Sequence, residues 1–296
     1  MFSDVLAFVL IMMLNHEDIG WLEWAQLIGN HKTQLLYPPL SLNSMRVIFI
    51  GDIHGRSLWK EIVEIEKSAD VVVFYGDFFD SKEEIGGEAQ LQNFLEIIAF
   101  KTNQEKLGNK VVLLFGNHDY HYMPWHTREP YSGFTEEFKE LFQKALVDHF
   151  QHLQMVFSFE NVLCSHAGIS SIWVNRNIGS EDKGVWSRYD LPGLAHAINQ
   201  LFVSDPKKFD SQGFESSGEE PQQTPIWIRP RSLRESNVGT LEQTAVQVVG
   251  HTRVKDAEAD FQRSINEWEG KYFLVDSLFL GNYLIWDNGS WQLGGL

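Results

Sequence analysis

Arg46-Val47-Ile48-Phe49-Ile50-Gly51-Asp52-Ile53-His54-Gly55 decides how this chain is read. Residues 47–50 are β-branched or aromatic and stop abruptly at a glycine and a polar cluster, which predicts a buried strand followed by a sharp turn. The arrangement recurs. Residues 71–75 run into Gly76-Asp77-Phe78-Phe79-Asp80, and residues 111–115 into Gly116-Asn117-His118-Asp119. Residues 162–164 run into Ser165-His166-Ala167-Gly168, and residues 245–249 into Gly250-His251-Thr252. Helices are expected at 58–67 and 88–102, between the first three strands. Strands alternating with helices predict an α/β fold with at least partly parallel strands. In such sheets ligands bind beyond the carboxyl ends of the strands, so the polar clusters are expected to share one edge.

Working outward, the later chain is less regular. Residues 204–224 are rich in Ser, Gly, Pro, Gln and charge and predict a long mobile loop, a candidate lid. Residues 272–275, 283–286 and 290–293 predict antiparallel strands that close the fold, with Asp287-Asn288-Gly289 as a turn. At the other end, residues 5–14 are ten consecutive apolar residues. A membrane span takes about 20, and a secretory leader carries a basic start, whereas Asp4 precedes this run. A cytoplasmic location is therefore expected. Pro38 and Pro39 separate this region from Met45. The expected division is an extension at 1–44, helical or read through from an upstream start codon, and one domain at 45–296.

Composition narrows the chemistry. The 296 residues include 43% hydrophobic ones, enough for a sizeable core, so global disorder is excluded. Forty acidic against 24 basic residues give a net charge of −16, which repels nucleic acid and anionic membrane, and neither is an expected partner. The single cysteine, Cys164, excludes an intrachain disulfide and any cysteine zinc cluster. A bound metal must then rely on Asp, Glu, Asn and His. The five clusters offer Asp52, His54, Asp77, Asn117, His166 and His251. Two divalent cations can clamp a phosphate and activate a water, provided one carboxylate bridges them and mixed oxygen and nitrogen donors complete each side. Asp77, at a neighbouring strand end, is the natural bridge. His118 and Asp80 remain as a proton donor and its orienting carboxylate.

Taken in order, GDIHG, GDFFD, GNHD, SHAG and VGHT resemble the motifs of the calcineurin-like metallophosphoesterases. The branch they resemble most includes bacterial serine/threonine phosphatases and diadenosine tetraphosphatases. The resemblance covers roughly residues 45–287 and implies a four-layer α/β fold, a β-sandwich of mixed sheets flanked by helices. It implies that Asp52, His54 and Asp77 hold one ion and that Asp77, Asn117, His166 and His251 hold the other. His118 would be the acid and Asp80 its partner. The implied cofactors are two divalent ions, Mn first, with Fe or Zn as alternatives. This chain departs from the protein phosphatases in two respects: their Asp-Arg-Gly reads Asp80-Ser81-Lys82 here, so a phosphate-binding arginine is missing, and Asp119 stands in the third motif where they carry Glu. Arg229, in a Trp-x-Arg segment, and Arg188, in Trp186-Ser187-Arg188, are candidates to replace it, with Arg56 a weaker one.

The function implied is hydrolysis of phosphomonoesters, with phosphoserine or phosphothreonine in proteins as the favoured phosphorylated substrate. Hydrolysis of dinucleoside polyphosphates or cyclic nucleotides is the alternative within enzymes. A non-catalytic scaffold of the same fold is the alternative from another class. A scaffold is expected to have lost ligands, and all are retained here. A nuclease is disfavoured by the net charge and by Gly-His-Thr, where that branch carries Gly-His-x-His.

Overall fold

β1 (Arg46–Ile50) lies inside a six-stranded sheet, between β2 (Val71–Phe74) and β9 (Asn282–Asp287). The computed structural model describes residues 45–126, 129–178, 190–211 and 217–296. The extension expected at 1–44, and Arg188, lie outside the described residues. β3 (Lys110–Leu114) and β4 (Leu153–Gln154) continue the sheet in parallel beyond β2, while β10 (Ser290–Gly295) pairs antiparallel with β9 at the opposite edge. A second sheet has the order β5 (Val156–Phe159), β6 (Val162–Ser165), β7 (Val246–Val249), β8 (Tyr272–Leu274). Its β5–β6 pair is antiparallel and the rest are parallel. Both sheets are therefore mixed.

Alternation along each strand builds the layers. Val47, Phe49, Val71, Val73, Val112 and Leu114 point from the first sheet at Val162, Cys164, Val246, Val248 and Phe273 of the second, and all are buried. Cys164 is thus a core residue. Phe49 sits between the sheets, stacked on Phe159 with ring centres 6.2 Å apart. The opposite face of the first sheet is covered by α1 (Trp59–Ile65) and α2 (Gly87–Lys106), where Trp59 meets Phe74 edge-on at 5.7 Å. The α4 helix (Lys139–Asp148) follows the short α3 helix (Asn117–Tyr120) and brings Phe142 onto Phe79 at 4.1 Å. On the outer face of the second sheet, Leu233 of α7 (Pro230–Asn237) packs with Val249 and Tyr272. Helices α5 (Ser171–Asn177), α6 (Leu191–Ser204) and α8 (Ala257–Asn266) complete the described helices. Among the described residues, no helix is long and apolar enough to cross a membrane.

Two expectations are corrected. Residues 272–275 do not form an antiparallel strand: β8 pairs in parallel with β7, with Gln247 opposite Tyr272. The intervening α8 supplies the crossover that a parallel return needs, and its half-exposed pattern was not recognised. The segment 204–224 is not, where described, a mobile loop. A 3-10 turn at Pro206–Phe209 buries Phe209 against Trp173 and Phe202, at 5.1 and 5.3 Å, and Thr224 donates to the Phe209 carbonyl at 2.9 Å. Two buried side chains outweigh the polar composition around them.

The sandwich interior generates the first prediction. Phe49→Ala leaves a large void between two sheets that cannot close independently, and should cost about 3–5 kcal/mol of stability, read by urea unfolding. A cost below about 1 kcal/mol would show that the sheets are not packed through this ring.

Candidate metal centre

Asp52 and His54 follow β1, Asp77 and Asp80 follow β2, Asn117 and His118 follow β3, His166 follows β6 and His251 follows β7. The strands belong to two sheets, yet these side chains converge. Ligand atoms of Asp52, Asp77 and His166 lie within 4.8 Å of one another. Asp77 Oδ2 is 3.7 Å from His54 Nε2 and 3.5 Å from His166 Nε2. Asn117 Oδ1 is 2.9 Å from both His166 Nε2 and His251 Nδ1. The Asp52 carboxylate accepts the His251 backbone N–H at 3.0 Å, joining residues 199 apart in sequence. Arg229 lies beside His251: its Nη1 donates to the His251 carbonyl at 3.1 Å and to Thr252 Oγ1 at 3.2 Å. Arg56 is buried and spent on an ion pair with Glu83 at 2.7 Å, while Lys82 is exposed.

Local backbone makes the convergence possible. On an extended chain, Asp52 and His54, two residues apart, would share one side. The strand instead ends at Ile50, and His54 sits in a turn with φ 44°. Asp77, Asp80 and His251 are also left-handed, at 49°, 62° and 59°. Each such residue costs about 1–3 kcal/mol and persists only where its surroundings dictate it. Close approach explains two of the glycines: a methyl group on Gly116 would collide with Asp77 Oδ1, and one on Gly250 with Asp52 Oδ1.

Hydrogen bonds behind the ligands settle which ring nitrogens carry protons. His54 Nδ1 meets the Phe79 carbonyl at 2.8 Å and His166 Nδ1 meets the Tyr75 carbonyl at 2.5 Å. A carbonyl only accepts, so both Nδ1 atoms are protonated. Burial holds His166 neutral, lowered to about 3, and lowers His54 and His251 well below the usual imidazole value. The Nε2 atoms of His54 and His166 therefore present lone pairs to the Asp77 carboxylate. Facing lone pairs repel unless a cation lies among them. The carboxylates tell the same story. Burial and then the Asp276 charge push Asp52 well above the carboxylate range, and burial and then Asp52 do so to Asp77. The donor set, carboxylate, amide oxygen and neutral imidazole, fits divalent metal ions.

Residues outside the donor set support it. Asp119 is fully buried and accepts the backbone N–H groups of Asp77, Phe78 and Gly116 at 2.9, 2.8 and 3.0 Å, fixing the turn that carries Asp77. Burial raises its carboxyl to about 7. Asp276, raised to about 6 chiefly by burial, was missed because it follows a strand with no glycine or histidine beside it. His118 Nδ1 lies 2.8 Å from Asp80 Oδ2. Burial opposes the Asp80 charge, but the hydrogen bond with His118 and the close approach of His121 bring its carboxyl down to about 2.

The family model for calcineurin-like phosphoesterases matches residues 45–252. No curated protein sequence matches this one. Among solved structures, the cold-active protein-tyrosine phosphatase of the psychrophile Shewanella sp. superposes with a TM-score of 0.59 at 18% identity, over 85% of this chain and 78% of that one. A further structure of a cold-active protein tyrosine phosphatase gives a TM-score of 0.53 at 18% identity, over 84% of this chain and 78% of that one. These structural likenesses establish a shared fold.

Crowded carboxylates generate the second prediction. An acid whose folded pKa is raised costs stability at any pH above its unfolded value, near 4. In chelator at neutral pH, Asp77→Asn removes that cost and should melt at or above the wild-type temperature, by the equivalent of about 1–3 kcal/mol. With Mn2+ the order should reverse, because the variant loses a carboxylate from the donor set. A variant that melts lower under both conditions would contradict the repulsion.

Proposed function

We propose, because the chain belongs to the calcineurin-like phosphoesterase family and is a metal-dependent hydrolase of phosphoric esters, that it cleaves phosphomonoesters at a binuclear centre built on Asp77. In this reading Asp52, His54 and Asp77 hold one divalent ion and Asp77, Asn117, His166 and His251 hold the second. The observation that carries it is the pair of Nε2 lone pairs, on His54 and His166, directed at Asp77 Oδ2 from 3.7 and 3.5 Å. Mn2+ is the first metal to test; Fe and Zn accept the same donors.

Two divalent ions bound there supply Lewis-acid charge to the phosphoryl oxygens and lower the pKa of the attacking water. The rest falls to side chains. Arg229, held by the His251 carbonyl and the Thr252 hydroxyl, adds positive charge for the oxygens of the phosphoryl group. It stands in for the arginine missing after Asp80. His118 gives its Nε2 proton to the leaving alkoxide as the phosphorus–oxygen bond breaks. Asp80 holds the opposite nitrogen, orients the ring and compensates the charge of the imidazolium. Phosphoserine or phosphothreonine in a protein is the substrate we favour, by the resemblance of the motifs to the protein-phosphatase branch. The lone cysteine agrees with a cytoplasmic setting.

A panel with added Mn2+ tests the reading: p-nitrophenyl phosphate, its bis ester, a phosphoserine peptide and diadenosine tetraphosphate. Monoester turnover should exceed that of the bis ester, and Asp77→Asn should lose more than about 100-fold. Arg229→Ala should cost about 1.5–3 kcal/mol, roughly 10- to 150-fold in kcat/KM. A preference for the bis ester would overturn the substrate class. No turnover of any substrate, with no metal found by elemental analysis, would overturn the catalytic reading. We also assign the catalytic domain to residues 45–296; expressed alone, that segment should keep wild-type kcat, and an inactive product would join residues 1–44 to the fold.

A further inference from the structure

Asp80 has more partners than one orienting contact requires. Its Oδ2 is 2.8 Å from His118 Nδ1 and 2.6 Å from His121 Nε2, the latter a close but bent contact. Its Oδ1 accepts the Tyr122 hydroxyl. The side chains of Asp80 and His121 are fully buried, so water cannot replace these donors. The second nitrogen of His121 fixes its tautomer. Nδ1 accepts the backbone N–H of Tyr131 at 3.1 Å, so the ring proton sits on Nε2 and faces Asp80. That proton occupies the position a metal would need, although Asp80, His118 and His121 are close enough together to hold an ion. Tyr122 is held in the same way: its oxygen accepts the backbone N–H of Thr135 at 3.1 Å, and its ring stacks on Phe134 at 4.9 Å. His121 stacks on Tyr131 at 5.2 Å. The segment after the third motif thus reaches the acid pair through two side chains and two backbone N–H groups.

We propose that His121 and Tyr122 are positioning residues for the acid step: they pin both oxygens of Asp80, and Asp80 in turn aims His118 at the leaving oxygen. This rests on the reading of His118 as the acid. It differs from a purely structural role in depending on the leaving group. A good leaving group departs as its anion and needs little help from an acid, whereas a poor one needs its proton in the transition state.

The test compares phenyl phosphate, a poor leaving group, with p-nitrophenyl phosphate, a good one, using the full chain with Mn2+. Tyr122→Phe and His121→Ala should each lower kcat on phenyl phosphate about tenfold more than kcat on p-nitrophenyl phosphate, with KM moving little. His121→Gln, which restores a side-chain N–H donor, should recover part of the difference. Should Tyr122→Phe fail to fold, the two His121 variants decide alone. His118→Asn is the reference. If it discriminates between the substrates and the other variants do not, the positioning role is overturned while the acid assignment stands. If His118→Asn itself shows equal losses on both, the acid assignment fails and the inference falls with it.

Discussion

Asp52 and Asp77 are buried carboxylates that press on each other and on the lone pairs of two imidazoles. Taking such charges out of water costs several kcal/mol each unless they are compensated. Much of the surrounding structure serves that compensation. Backbone N–H groups of His251 and His118 bind the carboxylates, and carbonyls of Phe79 and Tyr75 fix the ring protons. Four left-handed residues aim the groups inward.

The two sheets make the convergence geometrically simple. β1, β2 and β3 are adjacent and parallel in one sheet, and β6 and β7 are adjacent and parallel in the other, so their exits lie along one edge of the sandwich. Tyr75 couples packing to chemistry. Its hydroxyl crosses to the Val248 carbonyl at 3.0 Å while its own carbonyl holds His166. A shift of one sheet against the other would therefore move a ring proton as well as the core.

The fold class and the motif residues were legible in the sequence because both depend on short stretches: a β-branched run, a glycine, then a polar side chain. Asp52, Asp77, Asn117, His166 and His251 come together as those stretches suggested. What depended on distant partners was hidden. The direction of β8 is set by its neighbour β7, and the burial of Phe209 by Trp173, neither of which is near in sequence. Nothing near them in sequence marks His121 and Tyr122, because the group they touch, Asp80, lies some forty residues earlier. Even where the residues were right, the backbone was not: His54 reaches the centre from a left-handed turn, a conformation that residue spacing does not encode.

The pairing of β1 with β9 has a consequence for how the chain is made. Arg46 lies opposite Asp287 in the sheet and is ion-paired to it, so one side of β1 stays open until nearly the last strand has been synthesised. Every group assigned to the metals precedes that strand. A transcript truncated just before Asn282 would encode all of them, yet its product would carry a bare hydrophobic edge competent to pair with any extended chain nearby. For this protein, loss of the β9–β10 hairpin would bare a pairing edge before it removed any of those groups.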